Sequence, residues 1–250
     1  MPETRLNRME QNTTRINIPT LLTAGALERS EIVANACMNR ERNLSGANSY
    51  EMDLGLAPLD FLMNALQRQH EANWLDLCCG AGRALMQAAA AIESIDPKCG
   101  VKLTGVDLVP MFDAIPPSLS RVHLVSASVE TWETEEKFDL ITCVHGLHYV
   151  GDKLGVLERA SRWVKEGGRL IMHIDYQNLR IAGQLHSGIQ IGKDLRRAGF
   201  KYISGRHLLV RDGNIQNDPL PYRYLGADDQ AGPNFTGQAA VDSYYERIRI

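Results

Sequence analysis

Between Asn73 and Leu85 the chain reads Asn73-Trp74-Leu75-Asp76-Leu77-Cys78-Cys79-Gly80-Ala81-Gly82-Arg83-Ala84-Leu85. A short apolar run ends on an acid, two glycines follow, and an alanine-rich segment continues to about Ile92. This pattern predicts a buried strand, a tight turn and a helix. The glycines let the backbone pass close to a ligand, because a Cβ at Gly80 or Gly82 is expected to fill the ligand's space. A helix starting near Gly82 aims its first N–H groups into the same crevice, where they favour a negative group. A nucleotide-like ligand is the first expectation.

Gly-x-Gly alone does not choose the nucleotide. A dinucleotide fingerprint needs a third glycine three positions on, for helix packing and pyrophosphate binding. Leu85 stands there instead. Asp76, at the strand's end, repels a pyrophosphate but suits a ligand bearing an ammonium group. Asp107 ends the next apolar run, Val101-Lys102-Leu103-Thr104-Gly105-Val106-Asp107-Leu108, where an acid can accept hydrogen bonds from ribose hydroxyls. Its distance from the turn fits either kind of cofactor. The ligand that uses both acids and no pyrophosphate cradle is S-adenosylmethionine, with its amino-acid end, its sulfonium and its ribose.

These residues carry a family resemblance. Residues 73 to about 175 resemble the core of a class I S-adenosylmethionine-dependent methyltransferase of the small-molecule type. Asp76-Leu77-Cys78-Cys79-Gly80-Ala81-Gly82 is similar to the family's D-x-G-x-G-x-G motif, with Cys78 in place of its first glycine. Val106-Asp107-Leu108 resembles the ribose-binding acid and its apolar neighbour. Ser128-Val129-Glu130-Thr131-Trp132 falls where the family often has Asp-Ala-x-x-Leu, so Ser128 replaces an acid. Phe138-Asp139-Leu140-Ile141 resembles the fourth strand, Leu147-His148-Tyr149-Val150 the turn after it, and Gly167-Gly168-Arg169-Leu170-Ile171 the approach to the fifth. The resemblance implies Asp76, Cys78, Gly80, Gly82, Asp107, Leu108, Ser128, Val129 and His145 as cofactor-binding residues. It implies S-adenosylmethionine as cofactor and S-adenosylhomocysteine as product.

Composition bounds the alternatives. With 250 residues and 44% apolar content, one good core can form. A formal net charge of −3 argues against a general nucleic-acid binder. No apolar run approaches the ~18 residues that span a bilayer, and no signal-peptide pattern opens the sequence. Cys37, Cys78, Cys79, Cys99 and Cys143 are odd in number and form no C-x-x-C pair, which points to a reducing cytoplasm and buried thiols. Cys78 and Cys79 are expected as small core packers rather than a redox or metal pair.

Residues 1 to about 20 are polar and are expected as a mobile or partner-dependent arm. Leu21 to Cys37 carries helical spacing, suggesting one or two helices over the core. Arg40 to Tyr50 is rich in donors and turn formers; it is either a solvated linker or a lid over the cofactor. The expected division is an N-terminal helical arm and lid over 1–52 and a methyltransferase domain over 53–250.

Leu56 to Gln69 reads as a helix with proline in its first turn. Strands are predicted near 73–78, 101–107, 121–126, 138–144 and 168–174, and helices near 82–93, 152–165 and 187–198. The alternation predicts an α/β fold, a Rossmann-like doubly wound sheet of seven mostly parallel strands. Met111 to Ser120 holds Pro116 and Pro117, so that crossover is expected to be irregular. Leu208 to Ile215, turning at Asp-Gly-Asn, is expected to join Pro221 to Leu225 in a C-terminal antiparallel hairpin. Ala239 to Ile248 is a short helix or an edge element.

Methyl transfer needs alignment more than covalent help, and alignment can supply about 7–11 kcal/mol. A base adds about 10²–10⁴-fold where the acceptor loses a proton. Catalytic candidates are therefore polar side chains at the carboxyl ends of strands: His145 and His148 after the fourth, Tyr176 after the fifth, with Tyr50 arriving from the lid. His145 lies nearest the expected methyl group. His148 can equally be structural, and His173 reads as a satisfied core histidine. A metal site from His145, His173 and Asp175 lacks a recognisable ligand motif, and no metal is expected. Tyr222, Tyr224, Tyr244 and Tyr245 can line a substrate wall or pack on the hairpin. The Asn/Asp-Pro-Pro-aromatic turn of nucleic-acid amino methyltransferases is replaced by Cys143-Val144-His145-Gly146, so the expected partner is a small molecule rather than DNA or RNA.

The resulting expectation is a cytoplasmic monomer or homodimer, without membrane contact. It transfers a methyl group to oxygen or nitrogen of a small metabolite such as a natural-product intermediate. The alternative is an inactive homologue that binds the cofactor and regulates a partner.

Overall fold

Strand β1 (Glu71–Leu77) is buried from Ala72 to Leu77 apart from a partly covered Asn73, because it runs through the middle of a sheet covered on both faces. A computed structural model describes residues 19–34, 41–214 and 219–248. The expectations for residues 1–18 and for Cys37 lie outside the described residues.

Upstream of β1 are two single-turn helices, α1 (Ala24–Leu27) and α2 (Glu31–Ala34), then α3 (Tyr50–Leu54) and α4 (Pro58–Gln69). Proline occupies the first turn of α4, as its fixed φ favours. After β1 comes α5 (Arg83–Ile95), whose Ala84, Leu85, Ala88, Ala89 and Ile92 form one buried stripe. Then follow β2 (Gly100–Asp107), β3 (Val122–Ser126), β4 (Phe138–Cys143), α6 (Lys153–Trp163) and β5 (Val164–His173). No helix joins β2 to β3, as Pro116 and Pro117 require. The chain continues through β6 (Leu179–Ile181), α7 (Ser187–Arg197), β7 (Lys201–Ile203), β8 (Leu208–Asp212), β9 (Tyr222–Asp228) and β10 (Asp242–Arg247).

The main sheet has seven strands in the order β3-β2-β1-β4-β5-β8-β7. Only β8 runs antiparallel to its neighbours. The strand order reverses between β1 and β2 on one side and β4 on the other, and a ligand crevice opens there at the carboxyl ends. This is the expected doubly wound fold.

The hairpin needs a correction. Its two strands are β7 and β8. Tyr222–Asp228 leaves the main sheet for a second one, ordered β6-β10-β9. Alternation over Pro221 to Leu225 announces a half-buried strand but not its partner. The partner is Asp242–Arg247, which is a strand rather than a helix. Leu22 and Ala227 exchange backbone hydrogen bonds of 2.8 and 3.0 Å, which fastens the N-terminal region to the free edge of β9.

A buried lysine joins the two sheets. Lys153, 0% exposed, donates to the carbonyls of Val150 and Val241 at 2.8 Å and to Ser243 Oγ at 2.9 Å. Burial pulls its ammonium down to about 7.

Candidate active site

The switch-point cleft is lined by Cys78, Gly80, Asp107, Leu108, Ser128 and Val129, all expected there. Glu28, Val33, Val109, Glu130, Gly146, Tyr149 and Val150 complete the wall. Asp107 organises it. Its Oδ2 accepts the Gly80 N–H at 2.9 Å and its Oδ1 the Val109 N–H at 3.0 Å, so the carboxylate is oriented by the turn itself. Glu130 Oε1 accepts the Gly151 N–H at 2.8 Å, while burial pushes its carboxyl above the usual range. Among the described residues, the charged ones on this wall are Glu28, Asp107 and Glu130, all acidic. An acidic cleft attracts a cationic ligand and repels a pyrophosphate.

The two glycines do different work. Gly80, at φ +58°, is on the cleft wall. Gly82 is not: a Cβ there would stand 2.7 Å from Leu124 Cδ1, so packing and a φ of +78° require the glycine rather than a ligand's approach. Cys78 holds a left-handed φ of +57° where the related motif has glycine. Its hydrogen bond with Cys143 and then its burial push the thiol up, and burial does the same for Cys79. Both thiols are protonated packers.

Asp76 is not among the residues that line the cleft. Its Oδ2 accepts from the Tyr50 hydroxyl at 2.6 Å and its Oδ1 from the Thr142 hydroxyl at 2.6 Å. Thr142 Oγ1 in turn accepts the Trp74 indole N–H at 2.8 Å. Asp76 is 1% exposed, and burial raises its carboxyl to about 7. Asp76, expected to meet a ligand ammonium, here accepts from the hydroxyls of Tyr50 and Thr142. Tyr50, expected as a catalytic candidate, spends its hydroxyl on that bond, and burial raises its pKa well above the phenol range.

The segment Asn43 to Tyr50 is not among the residues that line this cleft; its Leu44, Ser49 and Tyr50 are buried, while Ser45 to Asn48 are exposed. The Leu44 N–H donates to Gln87 Oε1 at 2.7 Å, and the Gln87 amide donates to Asn43 Oδ1 at 2.9 Å. These bonds clasp the segment onto α5. Among the described residues, Glu28 and Val33, further upstream, are the N-terminal ones that reach the cleft.

His145 follows β4 in a left-handed conformation, φ +60°. It lies one residue before the cleft-lining Gly146, at the start of the Gly146–Tyr149 turn. There its Nε2 stands 3.7 Å from Asp53 Oδ1 on α3. Burial alone would raise the Asp53 carboxyl, but the neighbouring His145 ring and the Arg42 guanidinium bring it below the usual range. His145 stacks on His173, with centroids 4.0 Å and planes 12° apart. His148 is buried at 6.0 Å from His145. His173 is buried but not satisfied, since its Nδ1 has no hydrogen-bond partner.

Tyr176 is carried elsewhere. Asp175 Oδ1 caps the turn after β5 by accepting the Gln177 N–H at 2.9 Å, and the chain swings toward α7. Tyr176 then stacks on Tyr202 at 4.2 Å and packs against Gly188 and Gly192, lining a different crevice. Among the described residues, no group of three or more His, Cys, Asp or Glu is placed to hold a metal ion. Among them, too, no helix is long and apolar enough to cross a membrane.

The doubly wound sheet order and the acidic cleft at its switch point define a nucleoside-binding α/β protein. Residues 50–209, more than half of the chain, match the methyltransferase domain family, and the chain belongs to the class I S-adenosylmethionine-dependent methyltransferases. It is 28% identical over 182 residues to (S)-coclaurine N-methyltransferase of Papaver somniferum, covering 70% of this chain and 50% of that protein. It is 32% identical over 101 residues to a ubiquinone biosynthesis O-methyltransferase of Hydrogenovibrio crunogenus, covering 38% and 39%. The chain thus spans about half the length, or less, of these curated relatives. Among solved structures it is similar to the N-methyltransferase NodS of Bradyrhizobium japonicum in complex with S-adenosylhomocysteine. That likeness has 18% identity, a TM-score of 0.39, and covers 70% of this chain and 96% of that one.

Proposed function

We propose that the chain is an S-adenosylmethionine-dependent methyltransferase acting on oxygen or nitrogen of a small metabolite. One observation carries the reading: the switch-point cleft sets Asp107 against Gly80 and, among the described residues, offers only acidic charge, from Glu28, Asp107 and Glu130. That wall suits a nucleoside whose other end is cationic. When bound, S-adenosylmethionine supplies the methyl group from its sulfonium. Asp107 would hold the ribose, Gly80 would give the backbone room, and Cys78, Leu108, Ser128 and Val129 would enclose the rest. The segment 1–52 serves this domain as arm and lid, with Glu28 and Val33 as its contact with the cofactor. In this reading His145, beside Asp53, accepts a proton from the substrate. The similarity to enzymes named for (S)-coclaurine and for ubiquinone biosynthesis supports a natural-product intermediate as substrate. A cytoplasmic setting, a monomer or homodimer, and no nucleic-acid partner complete the proposal.

Calorimetry with S-adenosylhomocysteine tests it. Wild type should bind one equivalent, and Asp107→Ala should bind more than tenfold more weakly, since hydrogen bonds to a charged group contribute about 1.5–3 kcal/mol. Equal affinity in the two proteins would sink the assignment. Should the cofactor bind while no metabolite in a broad screen releases S-adenosylhomocysteine, the regulatory reading would take its place.

A further inference from the structure

Five aromatic rings gather beside the Gly146–Tyr149 turn, whose first residue, Gly146, lines the cofactor cleft. His145 and His173 lie face to face at 4.0 Å. Phe235, from the loop between β9 and β10, stacks on His207 at 3.9 Å with planes 3° apart. The same phenyl ring stands across His148 at 5.3 Å, and 6.1 and 6.2 Å from His145 and His173. One phenyl ring thus faces four imidazoles, which come from the end of β4, the turn after it, the end of β5 and the residue before β8.

Simple packing would be served better by apolar side chains. His148 is 1% exposed, and neither of its ring nitrogens has a hydrogen-bond partner; nor has His173 Nδ1. Buried polar atoms left unpaired are costly, and natural proteins keep few of them. The ring that covers them is itself 37% exposed. Its loop is tethered locally by the Phe235 N–H donating to Asp175 Oδ2 at 3.0 Å.

We infer that these imidazoles line the methyl-acceptor subsite, that Phe235 stands where the acceptor's ring goes, and that the acceptor is an uncharged aromatic ring bearing a hydroxyl group. This rests on the methyltransferase reading above and narrows it to oxygen. The ring follows from the flat faces: a planar ligand can take the stacking partner that His207 now has in Phe235. The hydroxyl follows from the orphaned nitrogens. A neutral imidazole accepts a hydrogen bond at one nitrogen and donates one from the other, which suits O–H. Burial keeps both rings neutral, pulling His148 down to about 3 and His173 to about 2. The absence of charge follows from the carboxylates alongside. Asp53 is paired with Arg42, and Asp175 accepts the Gln177 and Phe235 N–H groups. Their negative charge repels an anion, while their existing partners leave little for an amine. The position is right as well, because His145 precedes Gly146, which lines the cofactor cleft.

Histidine ring NMR with p-cresol as the probe, recorded with S-adenosylhomocysteine present, tests the subsite. p-Cresol should shift the His148 and His173 ring signals, and Phe235→Ala should bind it at least tenfold more tightly than wild type. Benzylamine and benzoate at the same concentration should leave those signals in place. A p-cresol affinity that does not rise in Phe235→Ala, signals that never move, or an equal response to benzylamine would overturn the inference. Phe235→Leu, which keeps an apolar cover but removes the flat ring, replaces the alanine variant if that variant melts early. Binding of S-adenosylhomocysteine is measured in the same samples. Its loss would sink the methyltransferase reading together with this one, whereas its presence without a p-cresol response sinks the acceptor subsite alone.

Discussion

The phenolic hydroxyl of Tyr50 donates to Asp76 Oδ2 at 2.6 Å and so ties α3, in the N-terminal segment, to the central strand of the sheet. Thr142 donates to the other oxygen at 2.6 Å. Two neutral donors do not offset full burial, and the carboxyl rises from 3.8 to about 7.

That shift sets a pH dependence. The folded protein holds a proton on Asp76 at pH values where the unfolded chain has released it, so stability falls as pH rises from about 4 to about 7. Asp76→Asn removes the titration. Urea melts at pH 5 and pH 8 should show wild type losing on the order of a few kcal/mol more than the variant. Parallel losses in the two proteins would mean that Asp76 is ionised throughout.

Gly80 and Gly82 should separate stability from binding. Gly82→Ala meets Leu124 at 2.7 Å and forces a side chain into a left-handed backbone, so it should lower stability by about 1–3 kcal/mol. Once folded, it should keep its S-adenosylhomocysteine affinity within a few fold. Gly80→Ala faces the cleft and should weaken that affinity well beyond tenfold. Calorimetry and urea melts on both variants check the pair, and reversed effects would reverse the assignment.

How much of this is legible in sequence depends on the distance over which each feature is decided. The β1–turn–α5 unit is readable because an apolar run, two glycines and an alanine-rich stripe determine it within a few residues. Asp107 is readable because strand ends define the cleft. Tyr222–Asp228 is not readable beyond its own alternation, since its partner, Asp242–Arg247, lies past a loop. Tyr176 misleads for a local reason: Asp175 turns the chain directly after β5. Asp53, Glu28 and Val33 reach the site only through tertiary packing. The one available signal for Asp53 is an acid on a helix capped by Ser49.

Lys153 should be a structural residue whose loss is felt at the junction of the two sheets. Lys153→Met strands the Val150 and Val241 carbonyls and Ser243 Oγ, each now bonded at 2.8 to 2.9 Å. A net loss of about 2–4 kcal/mol is expected, the variant's lower desolvation offsetting part of the broken bonds. The pH profile gives a second signature. With the folded ammonium at about 7 against 10.5 when unfolded, the unfolded chain binds more protons between these values, so this residue makes stability rise with pH there. That rise should vanish in Lys153→Met. Urea melts from pH 7 to pH 10 check both effects.

His145 and Asp53 should behave as a base and the residue that positions it. Asp53 Oδ1 stands 3.7 Å from His145 Nε2, while Arg42 holds the same carboxylate from the other side. The carboxylate favours the tautomer with its proton on Nε2, which leaves Nδ1 as the acceptor. His173, stacked at 4.0 Å, keeps the ring from turning. Once a metabolite screen for S-adenosylhomocysteine release has supplied an acceptor, His145→Ala should slow single turnover by about 10²-fold or more while cofactor affinity stays nearly constant. Asp53→Asn should lower the rate by a smaller factor, with KM little changed, and Asp53→Glu should recover part of it. Nitrogen-15 spectra of the histidine rings provide the readout that a merely structural role would not move. In wild type the His145 signal should be that of the Nε2–H tautomer, and in Asp53→Asn it should shift toward a mixture. If the tautomer is the same in both proteins, Asp53 does not position the ring, and its effect on rate must come from the Arg42 contact that holds α3 in place.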